Sequence, residues 1–205
     1  MSYLSGFIAT VIDEQGNSDV ARINLVHRKE ILYGIDSETV EGLNIFQGRR
    51  QLKPTIAVEG GKTLVKFSAK PEKWLGMTYR RVGFVTSDEG LWSYCDQWYI
   101  PNETMFMLML PPYAVVRSLN AEGLKRNQFD LENHLVMTQF FSGGDLDIRL
   151  EYVVNSEEYV ANRPATLERS SFPHTGDMLL QTYQSDSFAV RKALTGLSST
   201  VSWVA

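Results

Sequence analysis

The residues able to carry chemistry in this chain are few and scattered. His27, His134 and His174 are its only imidazoles, and no two stand at the i, i+4 spacing that places a metal-ligand pair on one helix face. A zinc site would need three distant segments to converge, so these histidines read as surface or hydrogen-bonded sheet residues. Cys95 is the sole cysteine. It has no flanking motif of a catalytic thiol and reads as a buried structural residue. Asp145 and Asp147 follow Gly143-Gly144 and offer carboxylate oxygens, but calcium takes about six to eight oxygens and no EF-hand spacing is present. Neither Gly-x-Gly-x-x-Gly, a P-loop nor a Gly-x-Ser-x-Gly elbow occurs. No catalytic residue, metal ligand or cofactor is therefore assigned.

The most suggestive constellation is aromatic. In a strand over Leu91–Ile100, side chains at i, i+2 and i+4 share a face. Trp92, Tyr94, Asp96 and Trp98 then point one way, and Ser93, Cys95 and Gln97 the other. A flat aromatic row can stack on sugar rings or bases where it is exposed, which makes Trp92, Tyr94, Asp96 and Trp98 the candidate binding residues. Aromatic stripes on strands are more often core. Asp96 fits a dry core only if it is hydrogen-bonded. Met105, Met107 and Met109 form a second, adaptable row that suits either a buried strand or a partner-binding strip.

The elements that would position these rows read as strands. Residues 81–85 pair with Leu91–Ile100 across Ser87-Asp88-Glu89-Gly90. Residues 105–110 are apolar without alternation, the pattern of a strand covered on both faces, and the Trp-rich strand is expected beside it. Strands over 6–13 and 19–26 are joined by a turn containing Gly16-Asn17. Residues 55–58 and 63–67 form a hairpin with Gly60-Gly61 at its tip, which sets Glu59 across from Lys62, Ile56 from Val65 and Ala57 from Leu64. A second Gly-Gly hairpin is expected between 134–141 and 145–154. Its apolar face is Leu146, Ile148, Leu150 and Tyr152, and His134, Asp147 and Glu151 share the other. Further expectations are a helical turn over 121–126, a strand over 178–183, a short helix capped by Ser187 and a strand over 198–204.

The 205 residues suit a single β-rich domain spanning 1–205, all-β and mainly antiparallel: a β-sandwich or barrel built from hairpins, with one or two short helices. An apolar share of 43% is enough for a real core. The net charge of −4 argues against a nucleic-acid partner. The Arg49-Arg50-Lys53 and Arg80-Arg81 groups read as solvated surface clusters. The first residues lack a basic region ahead of an apolar run, and no window reaches the roughly 20 apolar residues of a membrane-spanning helix. A lone cysteine excludes an internal disulfide and fits a reducing, cytoplasmic setting.

These observations predict a non-catalytic protein-interaction or structural module, using a sheet face or loops to hold a protein partner or a copy of itself. Two alternatives stand beside it. One is a barrel holding a small apolar ligand between its Trp and Met rows. The other is a hydrolase or lyase built from His134 or His174 with Asp147 or Glu151.

Overall fold

A computed structural model describes residues 6–100, 104–122, 127–130, 135–140 and 144–158. The fold is all-β, with antiparallel pairing dominant. In chain order the strands are β1 (Gly6–Ile12), β2 (Ser18–Val26), β3 (Glu30–Ile35), β4 (Val40–Gln47), β5 (Arg50–Leu52), β6 (Thr55–Glu59), β7 (Lys62–Ser68) and β8 (Lys73–Arg81). They continue with β9 (Thr86–Asp88), β10 (Leu91–Ile100), β11 (Thr104–Met109), β12 (Ala114–Glu122), β13 (Asn127–Asp130), β14 (Leu135–Phe140) and β15 (Gly144–Val154).

The described residues form three sheets. The large one has eight strands in the order β13-β14-β11-β1-β2-β8-β4-β5, a second has β12-β15-β10-β9, and the third β3-β7-β6. Register places Phe106, Ile8, Arg22 and Met77 on one face of the large sheet, and Tyr79 and Arg81 follow Met77 at i+2 and i+4. Both smaller sheets pack on that face. The Trp98 ring of β10 lies 5.9 Å from that of Phe106, and Tyr33 of β3 meets Tyr79 hydroxyl to hydroxyl at 3.4 Å. One cluster of buried side chains, from Ile8 and Phe106 to Val65 and Ile148, runs through all three sheets.

Residues 105–108 are buried, and β11 lies between β1 and β14, as the unbroken apolar run predicts. The Trp-rich β10 is not its neighbour within a sheet. It belongs to the second sheet and reaches β11 across the core. β11 also pairs parallel to β1, a contact between distant segments that no local pattern announces.

The short hairpins follow turn chemistry. Glu59 pairs with Lys62 around Gly60 and Gly61, whose φ values of 58° and 80° suit a type I′ turn. Glu89 and Gly90, at 47° and 84°, do the same between β9 and β10. The 81–85 segment is not that hairpin's first strand: Arg81 ends β8, which pairs with β2 and β4. Gly16, at φ 78°, is required twice over. A Cβ there would stand 2.7 Å from the Trp92 ring and 2.7 Å from the Val85 carbonyl oxygen.

The second Gly-Gly hairpin is corrected. β14 pairs with β11 and β13, whereas β15 pairs with β10 and β12. The alternation of β15 is as read, with Leu146, Ile148, Leu150 and Tyr152 buried. Alternation shows which face turns inward and leaves the partner strand open. The first two residues of the helical turn expected over 121–126 belong instead to β12, which runs on through Glu122, and 123–126 lie outside the described residues. A short helical segment follows β15 at 156–158. The expected strands over 178–183 and 198–204 and the helix capped by Ser187 lie outside the described residues, as do His134 and His174.

Candidate functional site

β10 carries the candidate residues, and its alternation sorts them as expected. Tyr94, Asp96 and Trp98 are buried and Trp92 is half-buried, while Cys95, Gln97 and Tyr99 face outward. The row therefore lies against the core. Trp92 stacks on Tyr152 at 6.3 Å with the rings 10° from parallel. Tyr94 meets Phe84 edge-on at 5.7 Å.

Asp96 is the chemically costly member. Its register partner on β15 is Ile148, and the same strand's Leu146 and Leu150 flank it. The compensating charge comes from the large sheet instead. Arg81 Nη2 donates to Asp96 Oδ2 at 2.7 Å, and the Tyr94 hydroxyl donates to the same oxygen at 2.6 Å. Arg81 Nη2 also donates to Ser18 Oγ at 2.9 Å. The guanidinium lies 3.5 Å above the Phe84 ring and 5.6 Å from that of Trp98. Arg81 is 1% exposed. A charge this deep is tolerated because a carboxylate, a hydroxyl and two aromatic faces replace its water.

Burial alone would lower the Arg81 pKa; Asp96 and Tyr94 outweigh it and leave the group raised and charged. Burial, reinforced by the Asp96 charge, pushes the Tyr94 phenol well above its ordinary range. Tyr79 is raised in the same direction by burial and by neighbouring Tyr33. Both phenols thus stay protonated and can donate but not serve as bases at neutral pH.

Arg81 is the residue that sequence reasoning misplaced. Read as part of a surface pair with Arg80, it is interior. Arg80 itself is held by both oxygens of Asp19 at 2.8 Å and by Asp13 at 3.2 Å. The available signal was the row Leu75, Met77, Tyr79, Arg81, an inward apolar stripe ending in a cation, set against an acid on an inward aromatic stripe. Arg49, Arg50 and Lys53 are exposed as expected.

The outer face of the second sheet holds a shallow groove lined by Ser93 and Cys95 of β10, Ser118, Leu119 and Asn120 of β12, and Arg149, Leu150 and Glu151 of β15. Cys95 is thus exposed and not buried, a correction that follows from its odd position on a strand whose even residues face the core. Its acid and its base find partners other than each other, the base's just outside the groove. Ser118 Oγ donates to Glu151 at 2.7 Å, and Arg149 lies 3.6 Å from Asp147. No group of three or more metal-ligating side chains occurs among the described residues. No helix among them is long and apolar enough to cross a membrane.

The third sheet ends in an overhang. Val65, Phe67 and Ile35 on the inner face of β3 and β7 are buried, yet Ile56 and Val58 are 53% and 58% exposed. Register puts Ile56 beside Val65 and Val58 beside Thr63, so they continue a core face beyond its cover. All five residues of β6 are exposed.

No family model and no curated protein matches this chain. Among solved structures it is similar to an aminopeptidase N family protein from Idiomarina loihiensis, at 9% identity and a TM-score of 0.41, over 72% of this chain and 29% of that one. It is similar to leukotriene A4 hydrolase from Saccharomyces cerevisiae, at 12% identity and a TM-score of 0.42, over 73% of this chain and 29% of that one. A third is an M1 zinc metallopeptidase from Deinococcus radiodurans, at 12% identity and a TM-score of 0.39, over 71% of this chain and 41% of that one. The chain spans less than half the length of each, and a likeness this weak carries neither a zinc site nor an activity to it. The expectation of a non-catalytic protein-interaction or structural module is nonetheless corrected: the solved chains it resembles are peptidases and a hydrolase. The geometry expected for the two alternatives is not found among the described residues. Among the described residues the sheets do not close into a barrel with the Trp and Met rows around a cavity, and β14 and β15 lie in different sheets, so the hairpin expected to align them does not form; His134 and His174 lie outside the described residues.

Proposed function

We infer that this chain is an enzyme-associated β domain: one part of a larger assembly, joined to its partner through the sheet of β3, β7 and β6. The observation that carries the reading is the overhang at Ile56 and Val58. A core face that runs out past its own cover invites another polypeptide to complete it. Each is a little over half exposed, so covering the remainder would contribute about 1–1.5 kcal/mol apiece. The first catalytic unit to try is a zinc aminopeptidase. The weak likeness names that candidate and does no more.

In this reading residues 1–205 act as a single domain with a protein partner or a second copy, and without nucleic acid. Trp92, Tyr94, Asp96 and Trp98 serve from inside, fixing the second sheet on the first and so the frame that presents the third. The exposed Cys95 thiol suits a reducing, cytoplasmic setting, since oxidising compartments seldom leave such a thiol unpaired.

The test is hydrogen exchange over 55–59 in the protein isolated with whatever accompanies it in its source, against the chain alone. Protection in the assembly that is lost from the isolated chain is expected. Equal, rapid exchange in both would sink the reading.

A further inference from the structure

The free side of β6 is an edge without the usual safeguards. Among the described residues no strand pairs with it. Thr55-Ile56-Ala57-Val58-Glu59 contains no lysine, proline or bulge, three of the devices by which native edges resist pairing, and its one charge, Glu59, stands at its end. Its order also reads nearly the same in both directions: polar, branched apolar, alanine, branched apolar, polar. Such a strand is complementary to itself in antiparallel register, which is what a two-fold interface requires.

We propose that β6 pairs with β6 of a second copy of this chain, antiparallel about a two-fold axis through Ala57. The proposal rests on the docking role inferred above and names the occupant. Ala57 then faces Ala57 of the second copy, Ile56 faces Val58, and Thr55 faces Glu59. The rows that result can be followed strand by strand from the existing register. On the inner face, Val65 and Ile56 of one copy continue into Val58 and Thr63 of the other, so each uncovered side chain gains an apolar neighbour. On the outer face, Lys66 and Thr55 of one copy continue into Glu59 and Lys62 of the other. Glu59 sits between one lysine beside it and another two strands away, and no like charges face each other. Two three-stranded sheets become one of six strands.

Other occupants of this edge, such as an extended peptide or a catalytic unit, would accept the same backbone groups. They would not reproduce the two-fold symmetry. That symmetry is what the experiment reads. Ala57 is exposed and lies on the face away from the core, so charge there leaves the single chain intact. Light scattering on the full chain should give twice the chain mass, with amides 55–59 protected from exchange. Ala57→Lys and Ala57→Glu, each alone, should weaken the dimer by roughly fivefold or more, because like charges meet at the axis. An equimolar mixture of the two should restore it, as the heterodimer.

A dimer indifferent to both substitutions would overturn the proposal. So would a monomer whose 55–59 amides are protected only when another unit is bound, which would leave the broader docking role standing. A monomer with these amides open even in the native assembly would remove both.

Discussion

β10 and β6 are both alternating strands, and their inner residues meet opposite fates. The inner row of β10 is closed off by the protein's own chain: Phe106, Arg81, Phe84 and Tyr152 all come to it from other segments. The inner row of β6 continues a buried face and then stands open at Ile56 and Val58. Alternation marks the side on which a strand is to be covered. Whether anything covers it depends on strands far away in sequence. In β10 that dependence reaches the point where an aspartate is stable inside only because an arginine on the opposite sheet meets it.

The contrast can be broken most directly at that ion pair. Arg81→Met leaves the Asp96 carboxylate buried without its cation, and Asp96→Asn leaves the guanidinium without its anion. Each should lower unfolding free energy by about 3–5 kcal/mol in denaturant titrations. Arg81→Met combined with Asp96→Leu should cost much less than the two singles together, because a buried pair replaced by apolar side chains removes both charges at once.

A somewhat smaller loss is expected from Gly16→Ala. The new methyl meets a backbone carbonyl that cannot swing aside, at a φ that L side chains rarely adopt. We expect roughly 2–4 kcal/mol, read as a fall in thermal midpoint.

Alkali sharpens the same contrast. Tyr79, Tyr94 and Tyr152 all have pKa values raised in the fold above the ordinary 10.0, with burial the leading cause in each. Below that value both states are protonated and the phenols leave stability independent of pH. Above it the unfolded chain loses protons that the folded chain keeps, so stability falls as pH rises. Melting curves should be level in this respect up to about pH 10 and decline beyond it. Tyr152→Phe should make the decline shallower.

The smallest effects belong to the outward positions. Cys95→Ser should change stability by no more than about 0.5 kcal/mol. In the native protein the Cys95 thiol should react with a thiol reagent without denaturant, at the rate of an accessible group.

Much of this was legible in local pattern. The register of β6 with β7, the inward sides of β10 and β15, and the double-sided burial of β11 follow from two-residue periodicity and from the Gly60-Gly61 turn. What could not be read locally was every choice of distant partner. β15 presents the expected apolar face, yet it pairs with β10 and β12 and not with β14, because several strands of similar pattern compete for it. Arg81 was misplaced for a related reason. A long cation next to another arginine looks solvated until the acid that draws it inward is located on another sheet. Cys95 was misjudged from residue type, since cysteine is usually buried, when its odd position in the strand already set it outside.

Equilibrium unfolding of Asp96→Asn and Ile56→Ser, side by side and dilute enough to keep chains single, weighs the completed face against the open one. We expect Asp96→Asn to lose about 3–5 kcal/mol and Ile56→Ser to stay within about 0.5 kcal/mol of the parent. A loss at Ile56 as large as that at Asp96, or no loss at Asp96, would contradict this account of the molecule.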